Sequence, residues 1–187
     1  MKPGFVEYLE ENASAIVGLT SAAVTSLATA LQTTTEALSG GGRERPAGRG
    51  RPGVSPTLTV LSEDECGRLI APGGVGRVAF TTADELLVLP VNFRVVDREI
   101  VFRTATDSVL VRAAEAQRVS FEVDHLDEAS GEGWSVLAQG ASRIVSDPEE
   151  QERLDRAGIE PWAGGERPLF MCVEPATISG RRIQSSW

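Results

Sequence analysis

The sequence predicts a mainly-β fold with a few short helices, arranged as a closed or split antiparallel barrel. Three observations predict it. Strand-like runs recur between turn signals at about 75–82, 86–96, 99–105, 118–126, 133–146 and 169–183. Only brief helical patterns interrupt them. Neighbouring runs meet at hairpin distance, most plainly at Asp97-Arg98.

The chain has 187 residues, enough for one compact core or a core plus a small appendage. A net charge of −9 excludes a chain-wide basic surface for nucleic acid. Locally the sign reverses, where Arg43, Arg45, Arg49 and Arg51 cluster. Two cysteines and a single histidine, His125, supply neither a disulfide scaffold nor metal-ligand spacing. No apolar run is long enough to span a bilayer, and the first residues lack the basic-then-apolar order of a signal peptide. A cytoplasmic setting is the expectation.

Three zones follow along the chain. Residues 1–40 are helical in spacing: Phe5, Tyr8 and Leu9 share one face. Ser21 can cap a second helix whose Val24, Leu27, Ala28 and Leu31 form a stripe. Residues 41–57 are rich in glycine, proline and arginine and read as a flexible linker. Residues 58–187 form the main domain. Ser62 and Glu65 make a capping box, with Leu61 as the staple before it, and this helix ends before Pro72. A helix at about 107–116 follows the third strand. Another starts near Pro148, after Asp147.

One place carries binding chemistry. In Ile100–Ala105, Ile100, Phe102 and Thr104 lie on one side of the strand, and Val101 and Arg103 on the other. The next helix begins around Thr106–Ser108, so its amides, the hydroxyls of Thr104 and Ser108 and the Arg103 guanidinium suit a phosphate. Arg112 sits one turn further and can reach the same place. An ion pair between Arg103 and a carboxylate explains the arginine equally well. In Pro90-Val91-Asn92-Phe93 the proline marks a strand edge or bulge, where exposed backbone can meet a planar heterocycle beside Phe93 or Trp134. A sheet edge covered by a helix is the alternative. His125 reads as a loop residue, and Cys66 and Cys172 as core.

Taken in order, Glu65-Cys66, Val75–Phe80, Pro90–Phe93, Ile100–Thr104, Phe121–Asp124, Gly133–Val136 and Ile178–Ile183 resemble the pyridoxamine 5′-phosphate oxidase-like FMN-binding split-barrel family. The resemblance implies a six-stranded antiparallel split β-barrel that forms a homodimer with flavin sites at its interface. It implies that Arg103, Thr104 and Ser108 hold the FMN phosphate, that Pro90, Val91, Asn92 and Phe93 line the isoalloxazine, and that Trp134 approaches it. Family members commonly carry a lysine after that serine; here the position is Val109, and Arg112 or Arg77 is the substitute charge. Residues 1–40 resemble the back half of a Cro/repressor-type helix-turn-helix domain, without its first two helices, so DNA binding is not expected. The implied function is an FMN-dependent oxidoreductase of unknown small-molecule substrate. The alternatives are a flavin- or ligand-sensing regulator without turnover, and a barrel holding a deazaflavin or haem.

Overall fold

The computed structural model describes residues 21–31, 33–38, 55–83, 85–114, 118–127 and 130–185. The helical reading of residues 1–20 and most of the arginine-rich linker lie outside the described residues. The chain divides into two compact units. One comprises Met1–Pro56, Leu126–Glu132 and Ser185–Trp187; the other, Thr57–His125 and Gly133–Gln184.

In the first unit, helix α1 spans Ser21–Ala30 and a single turn, α2, spans Thr35–Leu38. The expected stripe is only partly buried: Ala28 is enclosed, whereas Leu31 falls in the turn after the helix and is exposed. The Ser185 amide donates to Glu132 at 2.9 Å, and the Ser185 hydroxyl to the Ser130 carbonyl at 3.3 Å.

The second unit is the barrel. Its strands are β1 (Thr57–Leu61), β2 (Gly74–Thr81), β3 (Leu86–Val96), β4 (Glu99–Thr104), β5 (Val119–Asp127), β6 (Glu132–Ile144) and β7 (Leu169–Gln184). They are ordered β1-β7-β4-β3-β2-β5-β6, and β6 returns to pair with β7. That return closes a circuit of β2 to β7, leaving β1 as an addition on β7. The mainly-β barrel expectation therefore holds, with seven strands where six were expected. The seventh was hidden because β1 faces its apolar residues outward: Leu58 and Val60 are exposed and only Leu61 is buried.

Helix α3 (Glu63–Ile70) has the predicted capping box. The Glu65 carboxylate accepts from the Ser62 amide at 2.9 Å, and the Ser62 hydroxyl accepts from the Glu65 amide at 3.4 Å. The Ser62 amide and, at 2.8 Å, the Ser62 hydroxyl donate to the Glu65 carboxylate and hold it below its ordinary value. The helix buries Cys66 and Ile70. Gly180 of β7 is required there, because a Cβ would lie 2.7 Å from the Cys66 sulfur. Gly140 marks the register shift between β6 and β7, where a Cβ would collide with the Glu174 carbonyl.

Two apolar clusters flank β4. The large one fills the barrel with Ile100, Phe102, Val78, Phe80, Phe93, Phe121, Val136, Met171 and their neighbours. The small one joins Val101, Val145, Phe170 and Cys172 to Leu154 and Ile159, from helix α4 (Pro148–Asp155) and the segment after it. As expected, Asp147 caps α4 and Pro148 occupies its first turn.

Candidate functional site

The site is built on the β3–β4 hairpin. Asp97 and Arg98 take φ of 51° and 71°, the left-handed pair that a two-residue turn needs. This turn sets the register Phe93↔Phe102 and Arg94↔Val101. The ladder ends at that first pair, with Asn92 one residue beyond it on β3 and Arg103 one residue beyond it on β4. Alternation then sorts the residues. Val91, Phe93, Phe102 and Thr104 are buried toward the barrel core; Val101, Asn92 and Arg103 face outward, toward α4 and the chain that follows it, and Arg94 donates instead to the Pro72 carbonyl after α3 at 2.7 Å.

Arg103 is half-buried and partly engaged. Its Nε donates to the Arg167 carbonyl at 2.9 Å, and its guanidinium lies 4.7 Å from the centroid of the Phe170 ring. Its Nη1 is 3.6 Å from Asp155, a long pair with a carboxylate that is 60% exposed. Such a pair is weak, and a guanidinium carries five N–H donors, so capacity remains for an anion.

Thr104 faces the other way. It is fully buried, and its Oγ1 has no hydrogen-bond partner among the described residues. Strand alternation therefore separates the Arg103 and Thr104 side chains, which the sequence reading had aimed at one point. The helix beyond them also differs from expectation: Val109–Ala114 is a six-residue 3₁₀ helix. Its tighter turn consumes amides that were expected to be free. The Ser108 amide donates to the Ala105 carbonyl at 3.2 Å, Leu110 to the Ser108 hydroxyl at 3.2 Å, and Val111 to the Ser108 carbonyl at 3.0 Å. The Ser108 hydroxyl keeps its own proton to donate. Arg112 is exposed and has no carboxylate partner among the described residues. Arg77, the other substitute charge, is taken: it bonds Glu122 at 2.9 Å and Asp124 at 2.6 Å, which raises its own pKa.

The edge at Pro90 is present. The β3–β4 ladder covers only Phe93–Val96 of β3, and Pro90 lies in the stretch beyond it, still paired to Arg77 of β2. Pro90 is exposed and Asn92 half-buried, whereas Val91 and Phe93 are core. Phe93 meets Phe121 edge-on at 5.1 Å, so its ring is unavailable to a ligand. Trp134 is half-buried on β6, 6.0 Å from the exposed His125 ring. Of the residues singled out from sequence, Asn92 and Arg103 both bond the chain between α4 and β7, while Val91, Phe93 and Thr104 are buried.

Sequence reading missed the segment between α4 and β7. Its Trp162 amide donates to the Asn92 Oδ1 at 2.8 Å, and Arg167 braces it through the Ala163 and Gly164 carbonyls at 3.1 and 3.2 Å. The available signal was a tryptophan inside a glycine- and proline-rich loop, where burial does not explain it. Also missed was Arg143, which bonds Glu99 at 2.8 Å and Glu150 at 2.8 Å. Arg143 holds the Glu150 carboxyl below its ordinary value. Glu99, Glu150 and Cys172 offer ligand atoms within 4.8 Å of one another. Arg143 occupies both carboxylates, however, and burial pushes the Cys172 thiol up to about 12, so this is an ion-pair cluster. Cys66 and Cys172 are both buried, as expected.

This is an antiparallel barrel with a polar pair on the outer face of one hairpin. The pyridoxamine 5′-phosphate oxidase family model matches residues 62–182, and the chain belongs to that family. The uncharacterized protein Rv0080 of Mycobacterium tuberculosis is 36% identical over 140 residues, covering 72% of this chain and 91% of that protein. Among solved structures, the FAD binding protein from Mycobacterium smegmatis is 35% identical, with a TM-score of 0.57, covering 67% of this chain and 98% of that one. A conserved protein of unknown function from Corynebacterium diphtheriae is 32% identical, with a TM-score of 0.56, over 66% and 96%. No helix among the described residues is long and apolar enough to cross a membrane.

Proposed function

We propose that the chain binds a flavin nucleotide, FMN or FAD, at the outer face of the β3–β4 hairpin and acts as a flavin-dependent oxidoreductase on a small organic substrate. The observation that carries this is the 35% identity to an FAD binding protein, maintained over 98% of that chain. The outward donors fit a phosphate. Arg103 keeps unused N–H groups, Ser108 an unused hydroxyl proton and Arg112 an exposed guanidinium, whereas the buried Thr104 hydroxyl faces the barrel core, away from Arg103. A bound flavin would supply the redox chemistry; the chain would hold the phosphate, orient the ring and exclude water.

In this reading the functional unit is a homodimer. Exposed Leu86 and Val88 on β3, with Leu58 and Val60 on β1, give the barrel apolar surface that a second copy would cover. The test is titration of the purified chain with FMN and with FAD, followed by absorbance in the flavin bands. Uptake is expected, and Arg103→Ala is expected to weaken it roughly 10- to 100-fold, the worth of a charge-assisted hydrogen bond. A colourless protein that takes up neither flavin sinks the proposal.

A further inference from the structure

Trp162 is 84% exposed, an unusual state for the largest apolar side chain. Exposure of this kind commonly accompanies a wandering loop, but this one is pinned. The Trp162 amide is bonded to the Asn92 side chain at 2.8 Å, while the far end of the segment is held by the Arg103 Nε on the Arg167 carbonyl at 2.9 Å. Arg167 further ties the loop to itself through two carbonyls. Asn92 and Arg103 each lie one residue beyond the last pair of the β3–β4 ladder, and each bonds this segment. The backbone that carries the indole is thus anchored by the same two side chains that the flavin reading places around the ligand, while the indole makes little contact with its own barrel.

We infer that Trp162 is the stacking cover of the flavin ring. A planar, electron-rich indole offered beside an exposed strand edge suits the face of an isoalloxazine. Its anchorage by backbone, with the ring left free, allows the ring to close over a ligand without reorganising the barrel. Asn92 is then a positioning residue, acting through the loop. Sequence distance does not matter to this arrangement, because α4 and the small cluster beneath it bring the loop back to the hairpin.

The inference rests on the flavin reading, and one experiment separates the two. FMN and FAD are titrated against wild type, Trp162→Ala, Trp162→Phe and Asn92→Ala, recording affinity, emission of the bound flavin, apo-protein melting and oligomeric state. A stacked indole quenches flavin emission, so the wild-type complex is expected to be dim. Trp162→Ala is expected to raise Kd about tenfold, as loss of one aromatic stack does, and to restore emission. Trp162→Phe should keep most of the affinity, and Asn92→Ala should brighten the bound flavin with the indole still present. Because the indole is exposed, the apo-protein of Trp162→Ala should melt as wild type does. Wild-type Kd and dim emission in Trp162→Ala overturn the inference while leaving the flavin reading intact. A change confined to oligomeric state overturns it in favour of a contact between copies. A wild type that takes up no flavin overturns both.

Discussion

The two faces of β4 make opposite uses of the same strand. Inward, Ile100 and Phe102 enter a cluster that fills the barrel, with Phe102 fully enclosed and 6.3 Å from the Phe121 ring, and Thr104 is buried on the same side. Outward, Val101 and Arg103 meet a smaller cluster finished by α4 and the chain beyond it. The inner face is sealed by its neighbours in the sheet. The outer face is completed by a helix and a loop, and it keeps a guanidinium, an amide side chain and an exposed indole in one place. Apolar burial is concentrated on one side of the strand, and the polar groups that the flavin proposal uses lie on the other.

Truncation on each face tests that division, and carries the largest expected effect. Phe102→Ala should cost about 3–5 kcal/mol of unfolding free energy, from lost transfer plus the cavity left behind. Val101→Ala should cost about 2 kcal/mol, since it removes less apolar surface from a smaller cluster. Urea unfolding of the two variants measures both. A larger cost for Val101→Ala would reverse the ranking of the faces.

The inner face was legible in the sequence because its signals are local. Period-two alternation in Ile100–Thr104, the Ser62–Glu65 box, the Asp97-Arg98 turn and Pro148 at its helix start each act within a few residues, and each appears where expected. The outer face was not legible, because its partners arrive from elsewhere in the chain. Nothing near Arg103 announces Phe170, Asp155 or the Arg167 carbonyl, and nothing near Asn92 announces Trp162. Two further misreadings have physical causes. Strand β1 turns its apolar side chains to solvent, against the usual sense of alternation. The residues after Ser108 close as a 3₁₀ turn, so the hydroxyl caps its own backbone. The sheet that frames the candidate site could be read from sequence; the contacts that complete it could not.

The outer face is also stitched by charge, which gives it a pH dependence the inner face lacks. Arg143 reaches both Glu99 at the start of β4 and Glu150 on α4. Its hydrogen bonds lower the Glu150 pKa from an ordinary 4.5. A depressed carboxyl contributes stability above its unfolded value and loses it as pH falls through the folded one. Arg143→Ala should therefore cost about 1 kcal/mol at neutral pH, a modest figure because the guanidinium is 43% exposed and solvent screens it. The gap to wild type should close as pH drops below 4.5. Urea midpoints across the acid range measure it, and a gap that persists undiminished in acid would assign the loss to packing.

The smallest expected effect bears most directly on where the faces meet. Thr104 carries a polar atom on the apolar side, one residue from Arg103 and without a partner among the described residues. A buried hydroxyl left unpaired costs free energy, while a valine of the same shape asks for nothing. If that hydroxyl serves only the fold, Thr104→Val should stabilise the apo-protein by roughly 1 kcal/mol and leave flavin affinity as it was. If it is retained to donate to a phosphate oxygen, the same substitution should still stabilise the apo-protein while flavin affinity falls several-fold. The expected outcome is the first, because the buried hydroxyl faces the barrel core while Arg103 faces outward: higher melting without ligand, unchanged binding with it. A gain in stability with unchanged affinity is what a strand with one structural and one outward side should show at a residue that belongs to the structural side. A variant less stable than wild type would mean that Thr104 already has a partner, such as a buried water, and a variant with weakened flavin affinity would mean that the ligand reaches the inner side of the strand.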